Sequence, residues 1–143
     1  MSRARVLHRS LVAGVALLLV VFVLLKYRGL VPFLTLEAGR TLIAFVLAGA
    51  GLASVLVGLL IMSPRVPRRP VGQTEQIYLD RDDVIARALL VWALCESGGG
   101  IAAVGFALTG AMPPLVVSVA ALLALTSYGP GYFSERVLSN PRL

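Results

Sequence analysis

From Thr41 to Met62 the chain runs 22 residues without a charged side chain. About 20 predominantly apolar residues are what a helix needs to cross a bilayer. In hydrocarbon every backbone amide must find its partner within the protein, so a single such stretch has to be helical. Three further apolar runs follow the same rule: Leu11 to Leu25, Val84 to Thr109, and Pro114 to Tyr128. Composition agrees, with 58% hydrophobic and 14% charged residues and a mean hydropathy of +0.90. Soluble domains sit nearer 45–50% apolar and about 25% charged. The sequence therefore predicts an all-α fold: an integral membrane bundle of four transmembrane helices in a single membrane domain, residues 1–143. The spans are expected at about 11–25, 41–62, 84–109 and 114–128, with a polar loop over 63–83.

The net charge of +6 would also suit a nucleic-acid binder, but its distribution argues otherwise. The basic residues lie in the gaps between apolar runs, where they set topology, and no nucleic-acid-binding motif is present. With the N-terminus inside, one side receives Arg3, Arg5, Arg9, Arg65, Arg68, Arg69, Arg81, Arg87, Arg136 and Arg142. The other receives Lys26, Arg28 and Arg40, ten against three of the 13 basic residues. That bias predicts a multi-pass protein of the cell membrane with both termini cytoplasmic. The bilayer is one expected partner; a second copy or another membrane protein is the other.

The first run could be read as a secretory signal, since a basic start precedes it. No A-x-A-like site follows, and Lys26-Tyr27-Arg28 closes it with charge and bulk, so an uncleaved span is expected. Between Gly29 and Arg40 an interfacial segment would turn Leu30, Phe33, Leu34 and Leu36 to lipid; a plain loop fits as well. In the loop 63–83, Pro64, Pro67 and Pro70 break helix and favour extended backbone. Asp80, Asp82 and Asp83 suit the start of the next helix, near the positive end of its dipole. Arg87, one turn on from Asp83, is expected to pair with it. The turn Gly110-Ala111-Met112-Pro113-Pro114 is short enough to make the last two spans antiparallel neighbours.

Small residues mark the packing faces. In the second run Ala50, Ser54 and Gly58 recur every four residues, and Gly49 and Ala53 repeat the spacing beside them. Such rows let helix backbones approach closely, which matters where lipid is as apolar as leucine. In the third run Gly99, Gly100 and Ala103 share a face with Glu96. All eight residues are expected to pack helix on helix, within one bundle or between subunits.

Glu96 is the one carboxylate inside an apolar run. Arg87, near the start of the third run, is the one Lys, Arg or His within the four, and it stands more than two helical turns from Glu96, so the chain offers the carboxyl no counter-ion close by. Ionisable groups at that depth are costly and commonly functional. Loss of hydration favours the neutral form of a carboxyl, so Glu96 is expected to donate to a hydroxyl or a backbone carbonyl, or to bind and release a proton or small cation. Catalysis is not expected. His8, the only histidine, stands near the chain start, which excludes a buried Ser-His-Asp or Cys-His set. Cys95, the only cysteine, allows neither an internal disulfide nor a cysteine-based metal site. No metal or cofactor is expected.

One arrangement of motifs has a counterpart elsewhere. Ala48-Gly49-Ala50-Gly51-Leu52-Ala53-Ser54 leads into a loop containing Arg68-Arg69-Pro70, and Ala93-Leu94-Cys95-Glu96 followed by glycines comes next. This resembles the helical hairpin of subunit c, the proteolipid of rotary ATP synthases, over about half the chain. The resemblance implies a ring of hairpins in which Glu96 carries the translocated proton or sodium ion. From the residues themselves the first expectation is a scaffold or accessory subunit acting by helix association. A proton- or cation-translocating oligomer using Glu96 is the alternative.

Overall fold

The computed structural model describes residues 2–29 and 37–137, except the side chains of residues 37 and 38. The interfacial segment expected around Leu30, Phe33, Leu34 and Leu36, and the end of the tail with Arg142, lie outside the described residues. The described residues form helices α1 (Arg3–Tyr27), α2 (Glu37–Leu56), α3 (Glu75–Leu79), α4 (Asp82–Thr109), α5 (Met112–Ser127) and α6 (Pro130–Glu135). A π-helical turn, Val57–Met62, and a 3-10 turn, Ser63–Arg65, extend α2.

Among the described residues, three segments are long and apolar enough to cross a membrane: Arg3–Tyr27, Gly39–Arg65 and Asp82–Thr109. The first is longer than the expected 11–25, because the basic leader continues the helix. The fourth is shorter than a full crossing. Its 16 residues rise about 24 Å at 1.5 Å each, against a hydrocarbon core of about 30 Å.

Helix α4 is the centre of the fold. It packs against α1, α2 and α5, and its buried residues run around most of its circumference. The outer helices bury far less: Leu17, Leu42, Phe45 and Leu60 are all more than half exposed, as a lipid-facing surface requires.

The three consecutive glycines of α4 are explained by this central place, since they point three ways. A Cβ on Gly98 would lie 2.5 Å from the Gly51 carbonyl oxygen, and one on Gly51 would lie 2.6 Å from that of Gly98. At that crossing α2 and α4 touch backbone to backbone. Gly99 faces Val15 of α1 and Ala121 of α5, and its carbonyl accepts from Ser118 Oγ at 2.9 Å. Gly100 faces open space.

The contact row on α2 is Ala44, Ala48, Gly51, Val55 and Gly58, all buried. This differs from the expected rows. Gly49, Ala50 and Ala53 are exposed in the single chain, and Ser54 sits at the edge of the contact. Spacing alternates three and four residues along this helix, so a strict four-residue row drifts off the face.

At one end of the bundle, α4 stops at Gly110, which adopts φ +62° and donates to the Phe106 carbonyl at 2.7 Å. Its terminal carbonyls are met by cations from α1 and α2. Lys26 Nζ donates to the Gly110 carbonyl at 2.9 Å, and Arg40 donates to that of Thr109. Positive charge there complements the helix dipole.

At the other end the chain start, the loop and the C-terminal segment meet. The Arg3 amide donates to Asp80 Oδ1 at 3.1 Å, and Arg5 pairs with Glu75 at 2.6 Å. The Arg69 amide donates to the Arg136 carbonyl, whose guanidinium donates to that of Ser63. The expected Asp83–Arg87 pair does not form. Arg81, two residues before Asp83, pairs with it at 2.8 Å. Arg87 donates instead to the Arg65 carbonyl.

Tyr78, fully buried, donates to the Pro67 carbonyl at 2.5 Å and pins the proline-rich stretch onto α3. Burial pushes its phenol above the ordinary value of 10.0. The raised value means the folded state favours the neutral phenol. That contribution is complete below about pH 10 and fades as pH rises through the folded value. Tyr78→Phe is expected to cost about 0.5–1.5 kcal/mol near neutral pH. The gap to wild type should narrow in thermal melts above pH 10, and an unchanged gap would count against the assignment.

Candidate functional site: the cleft at Glu96

Glu96 stands 14 residues after Asp82 and 13 before Thr109, at the midpoint of α4. Its carboxyl points toward α1, where Gly14 makes room: a Cβ on Gly14 would sit 3.5 Å from Glu96 Oε1. Between the two helices lies a cleft of about 410 Å³, lined by Gly14, Val15 and Leu18 of α1 and by Glu96, Ser97 and Gly100 of α4.

The cleft is not sealed. Glu96 and Gly100 are half-buried, while Gly14 and Ser97 are exposed. On α4 the uncovered row continues through Ala93, Ser97, Gly100 and Val104, at the spacing of one helix face. Ser97 also marks the boundary with α2. Its Oγ lies 3.1 Å from Ser54 Oγ, and Ser54 Oγ donates to the Leu94 carbonyl at 2.9 Å. The open strip of α4 therefore runs between α1, which lines the cleft, and the Ser54 edge of α2. Its floor is made of small residues.

Glu96 has no hydrogen-bond or ion-pair partner among the described residues. The expected donation to a hydroxyl or a backbone carbonyl is absent, because the nearby serines are committed elsewhere and the carboxyl is turned to α1. No cationic side chain lines the cleft. A carboxyl so placed can take up a proton, accept from a donor brought by another molecule, or hold a small cation.

The remaining sequence-derived candidates separate by position. Gly58 packs on Leu94 and Val91, and Gly99 and Ala103 are buried in the bundle. Gly100 belongs to the cleft, while Gly49, Ala50 and Ala53 face outward. Three contributors were not foreseen. Gly14 shapes the cleft and carries no signal beyond being a glycine in the first run. Gly51 and Gly98 form the helix crossing, which a three-then-four spacing of buried positions would have picked out. His8 is also drawn inward, lying edge-on to Trp92 with ring centres 5.0 Å apart and bonding the Leu125 carbonyl through Nε2. It braces α1 against α4 and α5 at Trp92, one helical turn before Glu96. Among the described residues, no three His, Cys, Asp or Glu side chains converge as a metal set.

No protein-family model, no curated protein and no solved structure matches this chain.

Proposed function

We propose that this chain is a polytopic integral membrane protein that works by helix association, as a scaffold or accessory subunit of a membrane complex. It crosses the cell membrane with both termini cytoplasmic, and α5 completes a four-helix bundle with help from its flanking turns. A transmembrane helix of a partner protein seats in the open strip of α4 and brings a hydrogen-bond donor to Glu96.

One observation carries this reading: a carboxyl at mid-span has no partner among the described residues and lies in a cleft that opens sideways. An unpaired ionisable group in hydrocarbon costs several kcal/mol, and a donor from a partner removes that cost. The small side chains of Ala93, Ser97 and Gly100 leave room for a second backbone. A second copy of this chain is the weaker candidate, since the one basic residue in its apolar runs, Arg87, sits near the end of its span and not at the depth of Glu96. The test is complex size on native electrophoresis of membranes containing wild type, Glu96→Leu or Glu96→Gln. Loss of the larger species with Leu and retention with Gln are expected. An unchanged complex with Leu would sink the proposal.

A second reading has its own support. Glu96 shares its cleft with Ser97, whose hydroxyl is linked to that of Ser54. A carboxyl beside hydroxyl oxygens suits a proton or small cation, the role that the resemblance to subunit c implies. Ion flux through purified protein in liposomes, lost with Glu96→Gln, separates this reading from the first.

A further inference from the structure

At the end of the bundle where the loop begins, Arg65 and Arg87 share a cleft of about 360 Å³ with Met62 and Leu90. Arg65 follows the π-helical turn that extends α2, and Arg87 lies in the second turn of α4. Among the described residues neither guanidinium meets a carboxylate. Arg81 has taken Asp83, the acid that Arg87 could otherwise have reached, so Arg87 donates Nη1 to the Arg65 carbonyl at 2.8 Å. That bond ties the base of one arginine to the other and leaves the remaining N–H groups of both for an anion. Below them the cleft is apolar. Leu90 is about half exposed and Met62 half-buried, and both belong to segments apolar enough to lie in hydrocarbon.

The geometry points to a binding site for an anionic phospholipid, with the phosphate held between Arg65 and Arg87 and an acyl chain lying along Met62 and Leu90. A forked guanidinium matches phosphate oxygens. Basic pockets between membrane helices at the headgroup level are suited to such lipids. The apolar floor selects a lipid over free phosphate, because inorganic phosphate gains nothing from Met62 and Leu90. This site lies at the opposite end of α4's first half from the Glu96 cleft and does not depend on it.

The test uses the full chain in mild detergent, titrated with phosphatidylglycerol or phosphatidylcholine of equal chain length and read by native mass spectrometry. Phosphatidylglycerol should bind in preference. Arg65→Gln and Arg87→Gln should each lower that preference about fivefold, the effect of about one basic residue at an anionic surface. The Arg65 side chain makes no hydrogen bond among the described residues, so Arg65→Gln tests the site with the fold intact. Arg68→Gln, outside the cleft, should leave the preference unchanged. Equal binding of the two lipids would overturn the proposal, as would an Arg68→Gln loss equal to that of Arg65→Gln. Displacement of phosphatidylglycerol by millimolar inorganic phosphate would reassign the cleft to a free anion.

Discussion

Gly98→Val is expected to disrupt the bundle, while Gly100→Ala, two residues away, leaves it intact. The first added carbon at residue 98 would meet the Gly51 carbonyl at 2.5 Å and Val55 at 2.8 Å. The obstacle is backbone, so no rotamer relieves it, and α2 must move away from α4 along the most extensive contact in the fold. Overpacking a well-filled interface costs about 1–3 kcal/mol, and valine at a backbone crossing belongs at or beyond the upper end. Gly51→Val should behave alike, because the two clashes are reciprocal. At Gly100 and Gly49 an added methyl meets open space, and alanine in place of glycine favours helix by up to about 1 kcal/mol. Thermal unfolding in detergent should separate the two pairs clearly. Equal destabilisation at residues 98 and 100 would mean that the crossing is wrongly located.

Substitution of Glu96 should act on association and leave the bundle standing. The carboxyl makes no hydrogen bond among the described residues, so Glu96→Leu breaks no internal hydrogen bond there and fills part of the cleft with apolar volume. The isolated protein should be as stable as wild type, or slightly more so. The complex should weaken. Interhelical polar contacts in membranes contribute about 0.6–2 kcal/mol, which corresponds to roughly a threefold to thirtyfold loss of affinity. Glu96→Gln keeps the shape and the accepting oxygen and should hold most of the association. If the isolated Leu variant unfolds more readily than wild type, Glu96 is an internal strut and the cleft reading fails.

The helices were legible because charge-free length dictates them. Thr41 to Met62 could be little else, and the Asp82-Asp83 start and the Gly110 stop of α4 read directly as helix boundaries. Glu96 stood out in the sequence for the same reason, since a lone carboxyl contrasts with its surroundings. Its exposure was not. Whether the carboxyl is sealed or open depends on Gly14, a residue 82 positions away whose effect is only the absence of a side chain. The packing face of α2 was missed in part because a strict four-residue spacing drifts around the helix, and here it carried Ala50 outward while Gly51 made the contact. The Asp83 partner was missed because i,i+4 spacing favours Arg87 only if nothing nearer competes. Arg81, just before the helix, is nearer and free to turn. The π-helical turn at Val57–Met62 had no signal in composition.

The most direct measurement is carbodiimide labelling of Glu96, read by mass spectrometry on the purified chain and in native membranes. A lipophilic carbodiimide reaches a carboxyl from the hydrocarbon side only where a path is open. Strong labelling of the purified protein, suppressed by Gly14→Phe and reduced in native membranes where a partner covers the strip, is the expected result. Absence of labelling in the purified chain would contradict an open cleft at Glu96.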